Sequence, residues 1–364
     1  MATRRPSGLT VMPPYCHFPR GASQTVFGAE ARSDWYLRLV KGVARTLREA
    51  GITKRIVFLR YFDTLWPPET EKTDDENLVF MYAPISRCYG HAICDPRCDG
   101  DAVAERPSLN DVRLPRRNRV AAEIVRKWQT VSDLDSLMFE YYRWAPTWCD
   151  GMGMDLGKIA ARDMNDLRSL GLNGVVSNDC IRAFYPLPYL ANAIGDLLWD
   201  AHTDPAAHRR RIMSAAFGQH AQEAESYFAW LIEMYRGGVD DYHCTIHGPT
   251  ALPWGRFAEI AAGADRAQRD FRAEAEASSD ETVKLSLRLL AVHAEQMARI
   301  ARIYEASERK DARRIRQLRQ EHRARLPEVL SEFTQWIDPL IERPVDSCLS
   351  AAERSCAAAE PDSR

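Results

Sequence analysis

Up to about residue 200, short apolar runs alternate with stretches of helical period; beyond it the chain reads as helix throughout. Leu9 to Met12 is a first short strand. A helix is predicted from Asp34 to Ala50, with Leu37, Val40, Ala44 and Leu47 on one face and Gly51 placed to end it. Arg55 to Phe62 follows, and its centre, Ile56-Val57-Phe58-Leu59, is continuously apolar, as in a strand covered on both faces of a parallel sheet. Leu78 to Pro84 repeats that pattern. After a loop of about thirty residues, rich in Pro, Asp and Cys, Pro115 opens a helix to Thr130 with Val120, Ile124 and Trp128 on one face. Leu137 to Tyr142 is a fourth strand. Ile159, Met164, Leu167 and Leu170 belong to a helix stopped by Gly171, Gly174 to Ser177 is a fifth strand, and Leu187 to Trp199 a helix. The polar stretch between Asp63 and Asn77 shows no helical face.

Helices are predicted at Pro205–Phe217, Gln219–Tyr235, Gly255–Ala277, Asp280–Ser307 and Asp311–Ile337, the last kinked or split at Pro327. In the fourth of these, Leu287, Leu290, Ala294, Met297, Ala301 and Tyr304 recur at spacings of three and four, a seam for helix packing. The fold class is therefore α/β with parallel strands, followed by an all-α region. Five strands are too few for a closed eight-stranded (β/α) barrel and suit a partial one. No Gly-x-Gly-x-x-Gly follows a strand, so dinucleotide binding has no support. The expected organisation is a disordered N-terminus at 1–7, a partial barrel at 8–202, a helical region at 203–343 and a flexible tail at 344–364. An open sheet has exposed edges, and homo-oligomers through them are expected.

Composition is that of a globular protein, 45% hydrophobic and 27% charged, so a sizeable core is available. The formal net charge of −2 gives no case for nucleic acid or an anionic membrane surface as partner. No apolar run approaches the roughly 18 residues of a spanning helix. The N-terminus lacks the apolar stretch of a secretory signal. With nine cysteines, an odd number, this places the chain in a reducing cytoplasm. A longer precursor would change that to export.

In parallel α/β folds chemistry gathers at the carboxyl ends of the strands. There the sequence places Tyr61, Asp63 and Trp66; Arg87 and His91; Glu140 and Tyr142; and Asn178. Aromatic faces stack on the apolar face of a sugar, and carboxylates and amides bond its hydroxyls. A pair of acids, Asp63 and Glu140, can also supply the acid and base or nucleophile of glycoside hydrolysis. The planar fork of Arg87 suits a carboxylate. The alternative is structural: acids at strand ends cap helices or form ion pairs, and strand aromatics fill core.

Cys88-x-x-His91-x-x-Cys94-x-x-x-Cys98 has ligand types that suit tetrahedral zinc. All four lie within eleven residues, without the distant second pair usual in structural sites, so neither a metal nor any cofactor is expected. His243, Cys244 and His247 form a weaker cluster. Cys149 and Cys180 are nucleophiles only with a histidine alongside. The basic run Arg309–Arg319 has Ile315, Leu318 and His322 on one helix face and reads as a solvated surface.

Five segments in order carry a resemblance: Leu59-Arg60-Tyr61-Phe62-Asp63-Thr64-Leu65-Trp66-Pro67-Pro68, Asn77 to His91, Phe139-Glu140-Tyr141-Tyr142, Leu170 to Val175, and Leu197-Leu198-Trp199-Asp200. Over residues 8–235 the chain resembles the C-terminal part of a domain-of-unknown-function family of glycosyl-hydrolase-like (β/α)8-barrel proteins, near the α-glucuronidase and β-hexosaminidase barrels. The resemblance implies a carbohydrate-type cleft and a helical extension. Against the family pattern, the chain starts in mid-barrel. Its loop after the first strand, Pro13-Pro14-Tyr15-Cys16-His17-Phe18, has no acid. Two readings follow: a glycosidase-like enzyme acting on a uronic-acid or amino-sugar glycan, with Asp63 and Glu140 catalytic, or a non-catalytic carbohydrate-binding protein. A third, from the helical half, is a protein-interaction module on the remnant of a barrel.

Overall fold

The structure, a computed structural model, describes residues 9–11, 32–99, 114–142, 154–178, 185–236, 242–245, 248–249, 251–337, 350 and 352. It divides into two compact units, one of residues 1–142 and 162–178, the other of residues 143–161 and 179–364. Residues 143–161 and 179–202, grouped with the strands on sequence pattern, thus cluster with the helical unit. The loop at 13–18, the Cys149 and Cys180 thiols, His247 and the tail beyond 352 lie outside the described residues.

The first unit holds a five-stranded sheet of β1 (Leu9–Val11), β2 (Ile56–Arg60), β3 (Leu78–Tyr82), β4 (Ser136–Glu140) and β5 (Val175–Ser177). All neighbours are parallel and the spatial order is the chain order. Helix α1 (Arg32–Glu49) joins β1 to β2, α2 (Asn118–Gln129) joins β3 to β4, and α3 (Met154–Asp166) joins β4 to β5. The link from β2 to β3 has no α-helix, in keeping with its polar sequence; a short 3-10 turn, Phe62–Thr64, begins it. Asp34 of α1 holds the rest. Its buried carboxylate accepts from the backbone N–H groups of Glu69, Thr70 and Glu71 at 2.9, 2.8 and 2.6 Å. A buried acid saturated by backbone donors does the positioning that a helix does elsewhere in the sheet.

Register puts Phe58, Phe80 and Met138 on one face, and Arg60, Tyr82 and Glu140 on that same face at or near the strand ends. This is the face the helices cover. Trp128 of α2 packs on Phe58 and Phe80 with ring centroids 5.7 and 5.1 Å away. Its indole N–H donates to the Leu65 carbonyl at 2.7 Å. Arg60 is buried there among the rings of Phe80, Tyr82 and Trp128, 5.4, 5.9 and 5.2 Å from its guanidinium carbon. Burial lowers its pKa to about 9.

The second unit contains α4 (Tyr189–Trp199), α5 (Pro205–Phe217), α6 (Ala221–Arg236), a two-stranded hairpin of β6 (Cys244–Thr245) and β7 (Gly248–Pro249), α7 (Phe257–Ala277), α8 (Glu281–Glu308) and α9 (Ala312–Phe333). Aspartates set three of the helix starts: Asp204, Asp280 and Asp311 each accept from backbone N–H groups of the turn that follows. The α8 seam is buried from Leu287 to Ala301, while Tyr304 is partly covered and stacks on Phe257 at 5.0 Å. Gly263 lets α7 and α6 approach closely, because a Cβ there would stand 2.3 Å from the Trp230 ring.

Helix α9 runs through Pro327 without being split there. Both Pro327 and Arg323, whose carbonyl loses its N–H partner to the proline, are exposed, so water can satisfy that carbonyl. Among the described residues no helix is long and apolar enough to cross a membrane.

Candidate functional site

The carboxyl ends of β3 and β4 carry an ionic cluster that is closed to solvent. Arg87, five residues past β3, is fully buried, as are Glu140 at the end of β4 and Asp163 on α3. Arg87 Nε lies 2.8 Å from Glu140 Oε1, and its Nη2 donates to Asp163 Oδ2. The geometry of the first contact is that of an ion pair without an aligned hydrogen bond. Tyr89 and Tyr142 cover the guanidinium, with rings 4.8 and 5.5 Å from its carbon. The Tyr142 hydroxyl donates to Asp163 at 2.7 Å. The backbone N–H groups of Ile93 and Tyr141 donate to Asp163 and Glu140 at 2.6 and 2.9 Å.

Two carboxylates share one guanidinium, so the cluster is one negative charge in excess when both are ionised. Burial raises the Glu140 carboxyl to about 7 against the opposing pull of Arg87, and Asp163 adds to the rise. Burial also disfavours charge on Arg87, but Asp163 and Glu140 overcome it and hold its pKa well above the ordinary value.

Asp63 has a different ion partner. It sits in the 3-10 turn after β2, partly exposed, with Arg32 Nε at 3.4 Å. Burial raises its pKa and Arg32 opposes the rise. The sequence-marked acids are therefore each held by their own arginine, which is the structural alternative weighed above. Phe62, beside Asp63, is 38% exposed and has φ of 51°. Its ring meets Tyr61 edge-on at 4.6 Å. Tyr61 and Trp66 are buried, and the Trp66 carbonyl accepts from Ser33. Asn178 is half-buried, and its N–H donates to the Glu140 carbonyl at 2.8 Å. A crevice lined by Phe62, Pro84, Ser86 and Arg87 is too narrow to admit a water molecule.

No protein-family model and no curated protein matches this chain. The functional reading therefore rests on the residues themselves.

The loop after β3 brings three of its four marked metal-type side chains together. Cys88, His91 and Cys98 converge, all buried, whereas Cys94 turns aside and faces Arg126 Nη2 at 3.7 Å. The contact with Cys88, then burial, pushes the Cys98 thiol far above its ordinary range. His243 and Cys244 are buried in the second unit. Asp163 and Asn118 are residues of these clusters that the sequence pattern does not mark. Asp163 carries a faint signal, an acid at helical spacing from Leu156, Ile159, Ala160 and Leu167.

Proposed function

We propose that the chain is a glycosidase-like protein that binds a carbohydrate at the carboxyl-terminal rim of its parallel sheet without hydrolysing it. Parallel strands in chain order, with no reversal, support kinship with a barrel wall over a doubly wound sheet. The observation that carries the binding reading is Phe62. A bulky aromatic is left exposed at a strand end in left-handed backbone, a conformation that costs about 1–3 kcal/mol and clusters at ligand sites. Asp63 and Arg32 stand beside it as hydrogen-bonding partners for hydroxyls or a uronic carboxylate. The observation against turnover is Glu140. It points to the helix-covered side of the sheet and is engaged by Arg87, so it has no reach to a substrate.

The test is calorimetric titration with uronic-acid and amino-sugar oligosaccharides, alongside chromogenic glycosides. Millimolar or tighter binding is expected, weakened about 10-fold or more in Phe62→Ala and Asp63→Ala, as loss of a stacking ring or charged hydrogen bond requires. No turnover is expected. Absence of binding across the panel ends the carbohydrate reading. Hydrolysis that Glu140→Gln removes ends the non-catalytic one.

A further inference from the structure

The Cys88, His91 and Cys98 cluster has the dimensions of a metal site. Each residue offers one donor atom, and these atoms lie within 4.8 Å of one another. Tetrahedral zinc, with Zn–S about 2.3 Å and Zn–N about 2.0–2.1 Å, requires sulfur–nitrogen edges of about 3.6 Å and sulfur–sulfur edges of about 3.8 Å. The Cys88 Sγ to His91 Nδ1 separation is 3.5 Å.

A backbone donor faces each sulfur. Cys88 Sγ accepts from the Gly90 N–H at 3.3 Å, and Cys98 Sγ from the Asn118 N–H at 3.2 Å. The Asn118 side chain holds the loop in place. Its Oδ1 accepts from Cys88 N–H at 2.9 Å, and its Nδ2 donates to the carbonyls of Cys88, His91 and Ala92 at 2.9, 2.9 and 3.0 Å. One buried amide thus fixes the backbone on which two of the three donors stand, which is the preorganisation a metal site needs.

We propose that Cys88, His91 and Cys98 bind a zinc ion, with water or one further donor at the fourth corner. Two soft thiolates and an imidazole select zinc over the oxygen-seeking magnesium and calcium. Each Zn2+ that enters displaces one proton from each of the two thiols, so the buried site gains two positive charges, loses two and remains neutral. The compact spacing is no obstacle, because the eleven-residue loop from Cys88 to Cys98 closes on itself around Asn118, with Cys94 turned toward Arg126. The inference does not depend on the carbohydrate reading.

The test is metal content of the full chain purified without chelator, followed by cobalt substitution. About one zinc per chain is expected, together with thiolate-to-cobalt charge-transfer absorption on exchange. Cys88→Ser, Cys98→Ser and His91→Ala should lose the metal, and Cys94→Ser should keep it. X-ray absorption on the wild-type protein should count two sulfur donors and at least one imidazole, a readout that stands even where a variant fails to fold. Removing the metal should lower Tm by about 5 °C or more, since binding energy in such a site is folding energy. A wild-type chain that neither retains zinc nor takes up cobalt under reducing conditions overturns the proposal. So does loss of metal in Cys94→Ser with retention in Cys88→Ser.

Discussion

Arg87→Met is expected to destabilise the first unit by about 3–5 kcal/mol, the usual cost of leaving a buried ion uncompensated. Removing the guanidinium leaves Glu140 and Asp163 buried without their shared counter-ion. The loss should depend on pH, with a sign fixed by linkage. Glu140 titrates at about 7 when folded, above its ordinary 4.5, so the folded state binds the proton more tightly than the unfolded one. Stability from this group is complete below about 4.5 and falls as pH rises through about 7. Without Arg87 the carboxyl moves higher still, so Arg87→Met should lose more at pH 8 than at pH 5.5. Denaturant melts of wild type, Arg87→Met and Arg87→Met/Glu140→Gln at both pH values make the comparison. The double variant should recover part of the loss, mainly at pH 8. A single variant within about 1 kcal/mol of wild type at both pH values would show that the cluster has little energetic weight.

Acid should weaken the second unit, for the opposite reason. His293 of α8 is fully buried among Tyr185, Tyr227 and Phe228, with the Tyr227 hydroxyl 3.0 Å from its Nδ1. Burial lowers its pKa from 6.5 to about 3, so the imidazole stays neutral in the fold. Here the unfolded chain binds the proton more tightly. Stability is complete above about 6.5 and drains as pH falls from there toward about 3. By pH 4.5 the cost from this residue is on the order of 2–3 kcal/mol. His293→Gln keeps a hydrogen-bonding group for Tyr227 and cannot titrate. Subtracting its pH profile from that of wild type, with helicity as the readout, isolates the effect. Superimposable profiles would mean that water reaches the imidazole.

Strands and helices were legible because their physical signals are local. The apolar cores of β2 and β3, the Gly51 and Gly171 stops and the α8 seam all lie within a few residues of what they specify. The five parallel strands and the change to all-helix follow from such signals. The site was legible as a list of residues and illegible as a geometry. Arg87 and Glu140 were marked together for a ligand, yet which face of the sheet Glu140 joins depends on the register of Met138 against Tyr82 of β3, a non-local quantity. Asp163 comes from a helix 76 residues after Arg87 and is what turns a candidate site into an ion cluster. The metal-type side chains show the converse. Spacing argues against a site because all four lie within eleven residues without a distant second pair, whereas the folded loop held by Asn118 brings three of them together and turns Cys94 toward Arg126.

That same loop has a consequence for exchange with solvent deuterium. Residues 87–98 contain neither helix nor strand, the kind of segment whose amides ordinarily exchange within seconds to minutes. Here Cys88 N–H is bound by Asn118, Ile93 N–H by Asp163, and Asp95 and Cys98 N–H by the carbonyls of Ala92 and Asp95. The first two acceptors belong to α2 and α3, so releasing those protons requires separating the loop from helices of the sheet layer. Cys88 and Ile93 should therefore exchange on the timescale of global opening of the first unit, as slowly as the centre of β3, making an irregular segment part of its slowest-opening core.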